Sequence, residues 1–548
     1  MDKLLNITIG QMLEETCAKF PTRQAIKYIE MKYDKTWYEF NSAVDEVAKG
    51  LLGMGIKKGD HVAVWATNYP QWVTLFFATA KIGAILVTVN TNYKEHELEY
   101  LLKQSDSRAV FICDGIKDID CEKIIYSLCP ELKECKKGEL VSERLPELKY
   151  VVSFDNYYPG MFHWTEIERF GVLISDEEYA AAKADVKPDD VVNMQYTSGT
   201  TGFPKGVMLT HNNIVNNGFT IGDGMKFTEN DRLCINVPFF HCFGMVLAIM
   251  ACVTHGTTML PLLFYTPMKV MHVIEYERAT AMHGVPTMFV NILSHRDFDK
   301  YDFSTLRTGI MAGSRCPESL LRQVTEKMNM KEIVSVYGLT EASPGCTMTK
   351  TTDTVDQRCN TVGTPFPFVE TKVVDPETGE EVPAGVQGEF CARGYNIMKG
   401  YYNMPEETAK VIDKDGFLHT GDLATVDEQG YYRITGRIKE MIIRGGENLF
   451  PKELEDFLYT HHAVKDVSVF GVSDEKYGEE AVAHIILNEG VEVPTEDDIK
   501  KFVGNALSRH KIPRYVEFVN EFILNGAGKI QKFKMREEFE ERRGIKVK

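Results

Sequence analysis

The segment Tyr196-Thr-Ser-Gly-Thr-Thr-Gly-Phe-Pro-Lys-Gly206 holds three glycines, four Ser/Thr hydroxyls and one lysine within eleven residues. Apolar runs flank it, Val191-Val-Asn-Met-Gln195 before and Val207-Met-Leu209 after. It therefore reads as a tight loop between two strands. Glycines let backbone N–H groups turn toward an anion, the hydroxyls add donors, and Lys205 adds a full positive charge. That combination is a phosphate cradle. It differs from a Walker loop, in which four residues separate the first glycine from Gly-Lys-Ser/Thr, because Pro204 precedes Lys205 here. A flexible Gly/Ser/Thr linker has a similar composition, but linkers seldom lie between strand-like runs in mid-domain.

Upstream of the cradle, helix and strand alternate. Phe40, Val44, Val47, Leu51 and Leu52 mark one helical face, closed by Gly53. The strand His61-Val-Ala-Val-Trp65, a helix from Trp72 to Lys81 and the strand Ala84-Ile-Leu-Val-Thr88 follow. The helix His96-Glu-Leu-Glu-Tyr-Leu-Leu-Lys103 and the strand Ala109-Val-Phe-Ile112 continue the series. Such alternation predicts a parallel or mixed sheet covered by helices on both faces. A second α/β run extends from about Val191 to Val336.

Downstream the texture changes. Asp375-Pro-Glu-Thr-Gly and Pro383-Ala-Gly are turn signals between short extended runs such as Gly388-Glu-Phe-Cys-Ala-Arg393, which predicts a small β-rich piece. Near Gly436-Arg-Ile-Lys-Glu440 it changes again. Pro451-Lys-Glu-Leu-Glu-Asp-Phe-Leu458 reads as a helix with proline in its first turn. Strands Asp466-Val-Ser-Val-Phe470 and Ala481-Val-Ala-His-Ile-Ile486 and a helix from Glu496 to Leu507 complete the series. The expected organisation is a large domain over 1–436, a joint at 437–439 and a compact α+β domain over 440–548.

With 548 residues the chain should hold more than one domain. Its net charge of −17 repels nucleic acid and anionic lipid, so any polyanion site must be locally basic and enclosed. The start of the chain lacks the apolar core of a signal peptide, and the run from Met245 to Val253 is too short to span a bilayer. The last residues carry no peroxisomal address or prenylation box. A cytoplasmic enzyme is the expectation. The 12 cysteines include no Cys-x-x-Cys pair, so neither a zinc site nor a disulfide scaffold is indicated.

Four further segments bear on the cradle. Val336-Tyr-Gly-Leu-Thr-Glu341 offers an aromatic ring, a hydroxyl and a carboxylate suited to Mg²⁺ beside phosphate. Thr420-Gly-Asp422 puts an acidic acceptor in a turn. Arg437 and Lys439 lie at the expected joint, and Gly526-Ala-Gly-Lys-Ile530 holds a lysine on a glycine loop. Each alone is commonplace. Together, in this order and at these separations, they resemble the adenylate-forming superfamily of acyl-CoA synthetases, aryl-CoA ligases, luciferases and adenylation domains. Lys439-Glu-Met-Ile-Ile-Arg-Gly-Gly-Glu-Asn448 and Gly528-Lys-Ile-Gln-Lys-Phe-Lys-Met-Arg-Glu537 most resemble the medium-chain acyl-CoA synthetases.

The resemblance implies an α/β fold. Its large N-terminal domain holds two α/β subdomains and a small distorted β-barrel, and its small α+β C-terminal domain is mobile. It also implies two half-reactions. A carboxylate attacks the α-phosphorus of MgATP to give an acyl-adenylate and pyrophosphate; the thiol of coenzyme A then displaces AMP. By resemblance, Thr197, Ser198, Gly199, Thr200, Thr201, Gly202 and Lys205 hold the leaving phosphates. Thr340 contacts the α-phosphate and Glu341 ligates Mg²⁺. Asp422 takes the ribose hydroxyls with support from Arg437. Tyr337 and Gly338 meet adenine on one side, and Gly313 and Ser314 on the other. Lys529 bridges carboxylate and α-phosphate, Lys439 is the hinge, and Gly445 and Gly446 leave room for the pantetheine arm.

The acid is expected in a pocket around Phe240, His241, Phe243, Gly244, Val285 and Gly338. Adenylation domains that take amino acids place an aspartate in the first of these segments, whereas Pro238-Phe-Phe-His-Cys-Phe-Gly244 has none. A buried ammonium without a counter-charge is costly, so an apolar carboxylic acid is expected: medium-chain, alicyclic or aromatic. Two alternatives stay open, a catalytically inactive nucleotide sensor on the same fold and an adenylating enzyme with another acceptor. The expected partners are the acid, ATP and coenzyme A, with no nucleic acid and no membrane span. A homodimer, and a lysine acetyltransferase acting on Lys529, are left open.

Overall fold

The alternation of the first third folds into an eight-stranded sheet. Its order from one edge is Gly400–Tyr401, Lys205–Thr210, Val191–Thr197, Ile85–Thr88, His61–Trp65, Ala109–Ile112, Tyr150–Ser153 and Phe162–His163. The strands from Val191–Thr197 to Phe162–His163 run parallel. His61–Trp65 and Ala109–Ile112 are buried at every position, as expected of parallel strands covered on both faces. Among the covering helices, Trp37–Gly53 starts on a capping box between Thr36 and Glu39, then buries Phe40, Val44, Val47 and Leu51. This computed structural model describes residues 3–117, 119–197, 204–313, 316–444, 447–474, 476–525 and 529–545. Expectations placed on Ser198, Gly199, Thr200, Thr201, Gly202, Ser314, Gly445 and Gly446 lie outside the described residues.

The cradle closes a hairpin. Val191–Thr197 pairs antiparallel with Lys205–Thr210, with Thr197 opposite Lys205. The second strand thus begins at Lys205 itself, earlier than the apolar run from Val207 indicates, because ladder pairing extends past the apolar residues. A second, seven-stranded sheet has the order Glu332–Val334, Thr308–Ile310, Ala281–Met282, Arg232–Ile235, Thr258–Pro261, Gln24–Tyr28, Tyr33–Thr36. The apolar run from Met245 forms a π-helical stretch, Met245–Met250, that leads into the helix Ala251–His255. It is core. No helix among the described residues is long and apolar enough to cross a membrane.

The chain divides into two compact units, Met1–Glu370 with Ala392–Leu418, and Thr371–Cys391 with His419–Lys548. Residues 371–391 and 419–436 thus group with the C-terminal segment, a different partition from a cut at 436. The cause is local: strand Tyr432–Arg437 pairs antiparallel with Leu418–Val426 and carries the helix Pro451–Leu458 against it. The second unit also holds a sheet in which Gly478–Leu487 lies between Ile442–Arg444 and Val464–Asp474, with Tyr515–Phe518 paired parallel to it. Ile442, Leu454, Val467, Val469, Ile485 and Ile499 meet in its core. The helix expected to reach Leu507 ends at Gly504, where the Val503 carbonyl collects the N–H groups of Ala506 and Leu507 and the chain tightens into a turn.

Candidate active site

Lys205, at the end of the cradle, is buried. Its ammonium pairs with the Glu407 carboxylate and lies 5.0 Å from the centre of the Tyr401 ring. Tyr401 belongs to the edge strand Gly400–Tyr401, which pairs with the Lys205 strand through Val207. Its phenol donates a 2.9 Å hydrogen bond to Glu341 Oε1. Burial, and then the Glu341 carboxylate, push that phenol well above its ordinary range, so it stays protonated and donating. Hydrogen bonds from Lys205 and Lys410 hold the Glu407 carboxyl down at about 2. A cation and an anion thus face opposite parts of one tyrosine. Neither Tyr401 nor Glu407 is legible from sequence: Glu407 lies 202 residues from Lys205, on the helix Pro405–Val411 that follows the edge strand Gly400–Tyr401 paired with the Lys205 strand.

Glu341 is the middle residue of the short helical turn Thr340–Ala342, whose two flanking residues, Thr340 and Ala342, are buried. Tyr337 and Gly338 precede it on a strand paired with Thr347 and Gly345. Gly338 has to be glycine: an added Cβ would stand 1.6 Å from the Pro344 carbonyl oxygen, which is backbone.

The expected acyl-pocket segments also converge. His241 caps the short helix Cys242–Gly244 by accepting the Phe243 N–H at 3.1 Å. Gly244 lets this turn close, since a Cβ there would meet the Pro238 carbonyl oxygen at 2.2 Å. The Cys242 thiol points at Gln195 Oε1, 3.0 Å away, on the strand that enters the cradle. Phe240 and Phe243 are buried, and Phe243 stacks on His283 with centroids 5.9 Å apart. Burial holds the His283 imidazole down at about 4, so it is neutral. It donates from Nε2 to the Leu247 carbonyl (2.9 Å) and accepts the Ile310 N–H at Nδ1 (3.2 Å). Gly284 bridges to Met311, and a Cβ on Gly313 would meet Val285 Cγ1 at 3.1 Å. Val285 and Gly313 are therefore neighbours.

In the second unit, Asp422 and Arg437 are cross-strand partners. Arg437 Nε lies 2.9 Å from Asp422 Oδ1, and Asp422 is buried. Gly421, with φ of 71°, turns the chain just before it, and the Gly421 N–H is held at 2.8 Å by Glu389 Oε1. Lys439 lies on the turn Ile438–Glu440. Lys529 is exposed, and its N–H bonds Asn525 Oδ1 at 2.9 Å.

Within the first unit the hairpin carries a buried lysine, Tyr401 orients the Glu341 carboxylate, and the buried Phe240 and Phe243 belong to the same unit. The chain matches the AMP-binding enzyme family over residues 13–402 and the C-terminal domain of AMP-binding enzymes over 453–529. It belongs to that family, and within it to the acyl-CoA synthetases. A Bacillus subtilis relative provisionally named acyl-CoA synthetase YngI is 51% identical over 538 residues, 98% of each chain. The mitochondrial medium-chain acyl-CoA ligase ACSF2 of Rattus norvegicus is 42% identical over 551 residues, covering 98% of this chain and 88% of the relative. Among solved structures, the anthranilate CoA ligase AuaEII in complex with anthranoyl-AMP superposes with a TM-score of 0.84 at 26% identity, covering 99% of both chains.

Proposed function

We propose that this enzyme converts a medium-chain or compact cyclic carboxylic acid to its coenzyme A thioester through an acyl-adenylate, releasing pyrophosphate and AMP. The observation that carries the reading is the Lys205–Tyr401–Glu341 assembly at the end of the hairpin. It holds a buried positive charge and a carboxylate around one tyrosine, which suits the gripping of a polyphosphate, and catalysis of such a step rests on positioning and charge neutralisation. Glu341 fits a hard divalent cation. One oxygen is fixed by Tyr401, and Oε2 has no hydrogen-bond donor among the described residues. Mg²⁺ held there would draw charge from the phosphates. Lys205 would give up Glu407 for a phosphate oxygen, and Thr340 would donate to the α-phosphate.

The second unit supplies the other roles in this reading. Asp422, held by Arg437, accepts the ribose hydroxyls. Lys529 meets the charge that builds up as the carboxylate attacks, and its acetylation would remove that charge. Lys439 is the hinge, and Gly445 and Gly446 line the path of coenzyme A. The chain would work in the cytoplasm. The choice of acid rests on the buried Phe240 and Phe243 and on the lack of an acidic residue in 238–244; the ACSF2 relatives, named for medium-chain acids, agree with it.

Pyrophosphate exchange into ATP, scored over an acid panel and followed by AMP release with coenzyme A, tests the reading. Hexanoate, octanoate, benzoate or cyclohexanecarboxylate should outpace every free amino acid. A faster rate with any amino acid sinks the pocket assignment. Exchange without coenzyme-A-dependent turnover points to another acceptor, and no exchange at all points to a nucleotide sensor.

A further inference from the structure

Three metal-binding side chains that the reaction does not use meet in the second unit. Glu389 and Cys391 lie two residues apart on the strand Gly388–Gly394, so both leave the same face. His419 is on the neighbouring strand, Leu418–Val426. Its Nδ1 lies 2.8 Å from Glu389 Oε2 and 3.5 Å from Cys391 Sγ, and one ligand atom from each of the three falls within 4.8 Å of the others. Cys391 is fully buried, the Glu389 side chain is 11% exposed and that of His419 is 31% exposed, so an ion can enter from the histidine side.

We propose that Glu389, Cys391 and His419 form a binding site for one thiophilic divalent cation of the zinc class, with water as the fourth ligand. Thiolate, imidazole and carboxylate are the donors such an ion takes. In a tetrahedral site, bonds of about 2.3 Å to sulfur and about 2.0–2.1 Å to nitrogen put those two atoms roughly 3.5 Å apart, the separation already present between Cys391 and His419. The carboxylate is oriented in advance, because Oε1 accepts the Gly421 N–H and Oε2 is left facing the other two ligands. One thiolate and one carboxylate offset the two positive charges. On binding, the Cys391 S–H bond breaks, the S–metal bond forms and the proton goes to water. Before binding, His419 Nδ1–H donates to Glu389 Oε2; on binding that proton leaves Nδ1, the ring takes the tautomer protonated on Nε2 by exchange with water, and Nδ1 is free to ligate. Mg²⁺, which takes oxygen ligands, is not bound here, so the site does not compete for the ion of the nucleotide.

Co²⁺ serves as the probe, titrated into the reduced full-length protein. One equivalent should bind, with a sulfur-to-cobalt charge-transfer band in the near ultraviolet that Zn²⁺ displaces. Cys391→Ser should abolish the band, and His419→Gln should weaken binding by at least roughly tenfold. The remaining cysteines make the first variant decisive: a band of equal strength in Cys391→Ser, or no saturable uptake by the wild type, overturns the proposal. A wild-type readout keeps the test independent of variant folding. X-ray absorption at the zinc edge of the one-equivalent complex should show one sulfur and three nitrogen or oxygen neighbours, and two or more sulfurs, or none, would equally overturn it.

Discussion

The Tyr401 phenol holds Glu341 by a 2.9 Å hydrogen bond while the same ring lies under the Lys205 ammonium. One side chain thus sets the spacing between the positive and negative groups of the proposed phosphate site. Tyr401 touches neither half of the reaction in the proposed chemistry; it positions the groups that do.

Tyr401→Phe keeps the ring under Lys205 and removes only the bond to Glu341. A hydrogen bond to a charged group contributes about 1.5–3 kcal/mol, so adenylation should fall roughly 10- to 100-fold. The loss should shrink as Mg²⁺ is raised, since a loosened carboxylate binds the ion less well. Pyrophosphate exchange measured against Mg²⁺ checks this. A loss of the same size at every Mg²⁺ concentration would show that Tyr401 acts in some other way.

Two glycines separate steric need from backbone need. Gly338→Ala drives a Cβ to 1.6 Å from the Pro344 carbonyl oxygen, and the hairpin that carries Glu341 in its connection must shift. Misplacement of reacting groups by about 1 Å can cost roughly a hundredfold in rate, and a loss of that order is expected. Gly421→Ala meets no atom within 4 Å and only strains a residue with φ of 71°. It should cost about 1–2 kcal/mol of stability and leave most activity. Thermal melts and exchange assays on the pair decide it; equal behaviour would contradict the steric argument.

Acid sensitivity should begin well above the carboxylate range. Burial holds His283 down at about 4 and His211 down at about 3. Both stay neutral in the folded protein where the unfolded chain, near 6.5, takes up protons. The unfolded state therefore binds more protons as pH falls through about 6.5, and stability drops from there toward the folded values. Each fully unmatched histidine contributes a slope of about 1.4 kcal/mol per pH unit. Unfolding measured from pH 7 to 5 should show this decline, with a smaller slope in His211→Asn. A flat profile above pH 5 contradicts the assignment.

The hinge reading separates the half-reactions. Proline fixes φ near −65° and restricts the residue before it. Lys439→Pro should preserve pyrophosphate exchange and sharply reduce coenzyme-A-dependent turnover. Lys529→Ala should do the opposite, losing adenylation by about two to three orders of magnitude while sparing thioester formation from supplied acyl-AMP. Parallel changes in both half-reactions for Lys439→Pro would falsify the hinge.

Much of the contiguous structure of this chain was legible from its residues, although the ends of elements at Lys205 and Gly504 were not. The alternation from Phe40 to Ile112, the flanks of the cradle and the helix Pro451–Leu458 follow from apolar periodicity and from the glycines and prolines that interrupt it. The motifs around Lys205, Glu341, Asp422 and Lys529 are each contiguous, so their order and spacing along the chain showed the family resemblance on which their proposed roles rest. Contacts between distant segments were not legible. Nothing near Tyr401 in sequence points to Glu341 or Lys205, and nothing near His419 points to Cys391, 28 residues away. Those pairings arise when edge strand Gly400–Tyr401 docks on Lys205–Thr210, and when Leu418–Val426 lies beside Gly388–Gly394. Strand partners and register are set by which faces the packed core buries, and that is a property of the whole fold, absent from any one segment.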